Sequence, residues 1–394
     1  MKRKIWMYRV GVVTGTRAEY GLLKPLIEKI NRDCGMELCL IVTGAHLEER
    51  FGYTCQEITE DGYPIAYQVP MDLQSDTPRG ICLSMGKELA GLAEVFEQAK
   101  LDLLFLLGDR YETLAAAITA MMFRVPIAHL HGGEITEGAV DDAVRHSISK
   151  MSALHFTSTE TYARRLRQMG EESGRVWNVG ALGVENIKQI SYLSRDELCG
   201  RYSPLFAKPY IMVTYHPVTL ERGMAKRHFE QLLQVISRRK EYHYIFTYAN
   251  ADMEGNEINR LIRRYVAEHE NACAFKSLGQ IGYLSALRYA CCVVGNSSSG
   301  IIEAPSFHIP TINIGSRQKG RECSKTVVSC ESSAKEIEQA FAYALSKEFI
   351  DSCRQYQNPY EGENTSERIM EITRAALNTG ISLKKSFVDM REEK

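Results

Sequence analysis

The chain has 394 residues, 44% hydrophobic and 25% charged, an ordinary globular composition with room for two domains that each bury a core. Its 48 lysines and arginines nearly balance 49 aspartates and glutamates, for a net charge of -1. No bulk attraction to nucleic acid or to an acidic membrane is expected. The 11 cysteines are scattered, with no CxxC pair and no Cys/His zinc spacing, which fits a reducing, cytoplasmic setting without a bound metal. Arg9 interrupts the apolar stretch near the N-terminus, so no secretory signal is expected, and no later run reaches membrane-spanning length.

In chain order, the apolar spacing predicts a strand over 9–14 and a helix over 20–31 with Leu22, Leu23, Leu26, Ile27 and Ile30 on one side. A strand over 37–43, a helix over 86–99, a strand over 101–107 and a helix over 113–123 follow. Strand 125–130, helix 141–152 and strand 154–157 complete this half. Such alternation implies a parallel sheet covered on both faces. Residues 178–186 are glycine-bearing and read as a hinge, after which the pattern restarts. Strands are expected over 210–215, 242–247, 291–295 and 310–314, and helices over 226–238 and 257–268 and from 300 to 306. A last helix follows Pro359, with Thr365 as N-cap and Ile369, Ile372, Ala376 and Leu377 on its apolar face. The expected class is α/β: two Rossmann-like domains over 1–180 and 181–364, with ligands at the carboxyl ends of the strands.

Five strand-end segments carry candidate chemistry. TGTRAEYG (14–21) is neither GxGxxG nor a Walker A loop, so it supports neither a nicotinamide nor a kinase reading. Its turn is either a simple tight turn or a phosphate site to which Arg17 adds a charged fork. HLHGGEITEGAVDDAVRH (129–146) places Glu134 in a loop and Asp141 and Asp142 in the first turn of a helix, where free N–H groups stabilise anions. Asp141 with Arg145, and Asp142 with His146, stand four apart. The plain alternative is a surface helix laced with ion pairs; Asp109, at the end of another strand, argues for a site.

His216 ends a strand at VTYHP, either as a structural histidine or as a group facing ligand. GNSSSGIIEAPS (295–306) offers Ser297, Ser298, Ser299 and Gly300 to a diphosphate and Glu303 to ribose hydroxyls; otherwise it is a serine-rich N-cap. IGSRQKGRE (314–322) supplies Arg317, Lys319 and Arg321, which face a diphosphate or solvent.

Taken in order with LGDRYE and NPYEGENTSER, these motifs resemble the hydrolysing UDP-N-acetylglucosamine 2-epimerases over nearly the whole chain. HLHGGE stands where non-hydrolysing relatives carry a HxEAGLR-type string. The resemblance implies a glycosyltransferase-B-like fold whose final helix, within 365–394, packs back on the first domain. It implies release of UDP and N-acetylmannosamine for sialic acid-type synthesis, without a cofactor or metal. The reaction would remove the C2 proton and expel UDP to give a 2-acetamidoglucal, and water would then add from the other face. The implied catalytic set is Asp109, Glu134, Asp141, Asp142 and His216. Arg17, Arg110, Arg145, Ser297, Ser298, Ser299, Gly300, Glu303 and Arg317 would bind substrate. Relatives of this kind associate, so a homodimer or homotetramer is expected. Two alternatives stand: a UDP-N,N'-diacetylbacillosamine 2-epimerase, whose motifs are the same, and a UDP-sugar-dependent glycosyltransferase.

Overall fold

Short apolar runs that must bury both faces build two all-parallel sheets, described by a computed structural model for residues 7–389 apart from 74, 76, 138, 139, 219, 220, 222 and 250–252. The first sheet contains β1 (Tyr8–Thr14), β2 (Met36–Thr43), β3 (Ile65–Val69), β4 (Leu103–Leu107), β5 (Ile127–Leu130), β6 (Leu154–Thr157) and β7 (Val176–Asn178). Their order is β3-β2-β1-β4-β5-β6-β7. The second contains β8 (Tyr210–Thr214), β9 (His243–Thr247), β10 (Ala272–Phe275), β11 (Cys292–Gly295), β12 (Thr311–Ile314) and β13 (Val327–Cys330), in the order β10-β9-β8-β11-β12-β13. Both orders run outward in two directions from their first strand. The winding therefore reverses between β1 and β4 and between β8 and β11, and loops diverge there at the carboxyl ends to leave room for a ligand.

Alternation along each strand fills a core on either face. In β1, Val10 and Val12 join Leu40, Leu103 and Phe105 on one side. Val13 points to the other, with Ile41, Leu104 and Leu106. The second sheet repeats this, with Ile211, Val213 and Phe246 on one face and Tyr210, Met212 and Ile245 on the other.

The chain forms two compact units. One holds the described residues of Met1–Glu134, Asp141–Asn186 and Gly362–Lys394; the other holds those of Ile135–Val140 and Ile187–Glu361. The expected hinge is not a loop throughout: Leu182–Gln189 is helical, and the division falls inside that helix after Asn186. The helix Thr365–Thr379 lies on the first unit, where Ile369, Met370 and Leu377 enter the core beside Leu23 and Ile27. Thr365 does not cap it with its side chain. Its hydroxyl donates instead to Val179 O at 2.8 Å, and the cap position belongs to Asn364 at φ +49. Among the described residues no helix is long and apolar enough to cross a membrane.

Candidate active site

In the second unit, a cavity of about 260 Å³ opens where the topology predicts it, at the carboxyl ends of β8, β9, β10 and β11. Thr214, His216, Thr247 and Tyr248 line one part of it, and Lys276, Ser277 and Leu278 another. Gly279, Tyr283, Ser297 and Ser299 complete the wall. The turn after β11 requires glycine: at φ +136, a Cβ on Gly295 would lie 1.9 Å from Thr214 O. Dropping the side chain lets the serine loop pass against β8.

Asn296 fixes His216 through its backbone. Its Oδ1 accepts from His216 N at 2.7 Å, and its Nδ2 donates to His216 O at 2.8 Å. Asn296 O in turn accepts from Arg317 Nη1 at 2.9 Å and Gln318 Nε2 at 2.8 Å. Burial, with the Arg317 charge adding to it, pushes the His216 imidazole down to about 3, so it is neutral at physiological pH. Ser297 caps the short helix Ser298–Ile302, accepting from Ser299 N. Ser298 does not contribute to the cavity lining, whereas Ser297 and Ser299 do. Gly300 lies beneath, where a Cβ would press on Thr311 at 3.0 Å. Burial raises the Glu303 carboxyl, opposed by a hydrogen bond with Ser299.

In the first unit, the acids gather at the ends of β4 and β5. Arg145, on the helix Asp141–Met151 and only 2% exposed in its side chain, bonds Asp109 Oδ2. Its Nη1 also lies 3.9 Å from Asp142 Oδ1, and His146 Nε2 lies 3.7 Å from Asp142 Oδ2. Asp109, Asp142 and Arg145 thus come together. The sequence paired Arg145 with Asp141; the structure brings its guanidinium to Asp109 and Asp142 as well, because i and i+3 also face each other on a helix. Asp141 occupies the first turn beside Asp142.

Glu134 is 3% exposed, with Oε1 3.0 Å from His131 Nδ1 and accepting from Ser158 Oγ at 2.8 Å. Beneath it His129 is fully buried: Nε2 lies 2.8 Å from Gly108 O, the residue before Asp109, and Nδ1 lies 3.1 Å from Ser149 Oγ. Arg17, expected on phosphate, and Arg110, expected on substrate, have carboxylate partners. Arg17 Nε pairs with Glu57 at 3.0 Å, and Arg110 Nη2 pairs with Glu112 at 2.7 Å. Glu19 closes a capping box with Thr16, and burial raises it to about 7 against the Arg110 charge. Among the described residues, no three His, Cys, Asp or Glu side chains converge as metal ligands.

Sequence reasoning missed His131, Asn296, and the Lys276–Gly279 and Tyr283 wall. Lys276–Gly279 follow β10, a four-residue strand, Ala-Cys-Ala-Phe, with only one buried residue and no β-branched side chain to mark it as a strand. The available signal was Gly279, whose φ of +66 marks a turn after a Lys-Ser pair.

A family model described as UDP-N-acetylglucosamine 2-epimerase matches residues 28–374. The chain is 38% identical to a GDP/UDP-N,N'-diacetylbacillosamine 2-epimerase (hydrolyzing) of Campylobacter jejuni, over 97% of this chain and 99% of that protein. It is 37% identical to a UDP-N,N'-diacetylbacillosamine 2-epimerase (hydrolyzing) of Legionella pneumophila, over 91% and 94%. To a UDP-N-acetylglucosamine 2-epimerase of Neisseria meningitidis it is 30% identical, over 98% and 100%. Among solved structures it superposes on a Staphylococcus aureus MnaA–UDP complex with a TM-score of 0.77 at 18% identity, covering 98% of this chain and all of the other. The Neisseria meningitidis UDP-GlcNAc 2-epimerase bound to UDP-GlcNAc gives 0.79 at 17% identity, covering 93% and 100%. The fold is glycosyltransferase-B-like, and the chain belongs to the UDP-N-acetylglucosamine 2-epimerase family.

Proposed function

We propose that this chain is a hydrolysing 2-epimerase whose preferred substrate is UDP-N,N'-diacetylbacillosamine, releasing UDP and the sugar inverted at C2. The carrying observation is full-length similarity of 38% and 37% to two hydrolysing enzymes named for that sugar, against 30% to a Neisseria meningitidis relative named for UDP-N-acetylglucosamine. This reverses the order of substrates expected from the motifs, which the two classes share.

In this reading the cavity of the second unit takes the nucleotide, with His216, Ser297 and Ser299 toward it and Arg317 acting through Asn296. A neutral His216 offers a hydrogen bond without a competing charge. The acid–base work falls to the first unit, where Asp109 follows β4, Glu134 lies in the loop after β5 and Asp142 opens the next helix; Arg145 orients Asp109 and Asp142, and Glu134 is held by His131 and Ser158. A second reading, UDP-N-acetylglucosamine, is favoured by the 30% relative, which spans 98% of this chain. UDP release from the two sugar nucleotides, measured side by side, decides. The expected result is a higher kcat/KM for the diacetylbacillosamine substrate; a higher value for UDP-N-acetylglucosamine reverses the assignment.

A further inference from the structure

His131 stands out among the histidines of the first unit. It directly follows β5, in the left-handed region at φ +63, a conformation an L side chain seldom adopts outside a constrained site. The position is fixed from both sides: His131 N donates to Phe156 O at 2.9 Å, and Gly108 N donates to Leu130 O at 3.1 Å. The register Leu107–Leu130 therefore sets His131 beside Gly108, one residue before Asp109, at the strand ends where the acids gather. Nδ1 faces Glu134 Oε1 at 3.0 Å, and Ser158 holds the same oxygen. Nε2 is buried and has no hydrogen-bond partner. The neighbouring histidines differ. His129 uses both nitrogens within the fold, and His155, whose Nδ1 is also unpartnered, is 0% exposed against Glu171, whereas the His131 side chain keeps 13% exposure. A buried ring nitrogen without a protein partner, on a side chain that keeps some exposure, is one that a ligand can reach and satisfy.

We propose that His131 is the catalytic residue that exchanges the C2 proton, and that Glu134 is a positioning residue acting through it. The assignment rests on the 2-epimerase reading above. Glu134 accepts the Nδ1 proton, which fixes the tautomer and leaves Nε2 as the base. Nε2 takes the proton from C2 of the sugar. The C2–H electron pair becomes the C1=C2 bond, and the C1–O pair leaves with the nucleoside diphosphate. The Glu134 carboxylate stabilises the imidazolium until its proton passes to solvent. Water then supplies hydroxide to C1 and a proton to C2 from the opposite face.

The decisive variant is His131→Asn. Asn tolerates the left-handed backbone and keeps an amide nitrogen where Nδ1 meets Glu134, so it removes little more than Nε2. With UDP-N,N'-diacetylbacillosamine, H131N is expected to lose at least about a hundredfold in kcat, within the range of a general base, while UDP affinity stays within about threefold. E134Q, whose amide oxygen still accepts from Nδ1, should keep more kcat than E134A, with KM unchanged in both. His131→Gly, unstrained at this φ, provides the second arm: added imidazole should restore turnover. A wild type that releases UDP together with an active H131N overturns the assignment alone. A folded H131G that imidazole fails to rescue does the same. A wild type inert on both sugar nucleotides overturns the 2-epimerase reading, and the assignment falls with it.

Discussion

Arg145 reaches from the first helical turns after Asp141 to the Asp109 carboxylate at the end of β4, joining two segments 36 residues apart in sequence. The arginine side chain is 2% exposed and the aspartate 23%, so water screens the pair only in part. Removing Arg145 leaves the part-exposed Asp109 carboxylate without this partner, at a cost of about 1 to 2 kcal/mol after solvent screening. Arg145→Met is expected to lower both the melting temperature and kcat. Arg145→Lys should keep the fold and still lose at least about tenfold in kcat, because one ammonium cannot reproduce the guanidinium fork. Wild-type turnover in the lysine variant would contradict this role.

The Asn296 side chain makes two bonds to the His216 backbone, of which Asp can keep only the one it accepts. At about 1 kcal/mol per net hydrogen bond, Asn296→Asp should weaken UDP binding about fivefold and Asn296→Ala up to about thirtyfold. Calorimetric titration with UDP measures both. Equal, unchanged affinities would show that the clamp does not serve the nucleotide.

Lys385 ties the C-terminal segment to the far end of the helix that begins with Asp141. Its Nζ donates to Lys150 O at 2.9 Å, Ser152 O at 2.7 Å and Glu171 Oε2 at 2.9 Å. A cation there satisfies carbonyls that the helix end leaves open. Lys385→Met should lower the melting temperature and reduce kcat while leaving UDP affinity as in the wild type, since the nucleotide cavity lies in the second unit. A parallel loss of UDP affinity would contradict the separation.

Acid should destabilise the protein from near neutrality downward. Burial pushes His46, His129 and His216 down to about 4, 3 and 3. In the unfolded chain each titrates near 6.5, so between the two values the unfolded state binds more protons. The stability these groups give is complete above about pH 6.5 and is lost as pH falls toward their folded values. Glu171 acts further down. Burial alone would raise it, but bonds from His155, Lys150 and Lys385 outweigh that and hold it at about 2, so its contribution fades from about pH 4.5 downward. Melting temperatures are expected to fall continuously from about pH 7 to about pH 5. A flat profile over that range would show that these imidazoles are solvated.

The sequence revealed the interior of both sheets and none of their edges. Strands β1, β2, β4, β5 and β6, and β8, β9, β11 and β12, were each legible as apolar runs because neighbours cover them on both sides. The four missed strands, β3, β7, β10 and β13, are the four sheet edges. Tyr67 in β3 and Ser329 in β13 show why: such strands are short and only partly buried, so polar or half-exposed residues dilute their apolar signal. The site followed the same rule. Asp109, Asp142 and Ser299 follow interior strands and were found, whereas Lys276 and Ser277 follow the edge strand β10 and were not. His131 was hidden differently, inside a quoted motif, because neither a left-handed backbone nor an orphaned Nε2 can be read from residue spacing.

The reaction itself is tested most directly by running it in D2O and examining the released sugar by NMR. Removal of the C2 proton and its return from solvent on the opposite face should yield UDP and a C2-deuterated, C2-inverted 2,4-diacetamido sugar from UDP-N,N'-diacetylbacillosamine. A product that keeps its original C2 hydrogen and configuration would mean that only the bond at C1 is cleaved, and would contradict the 2-epimerase reading.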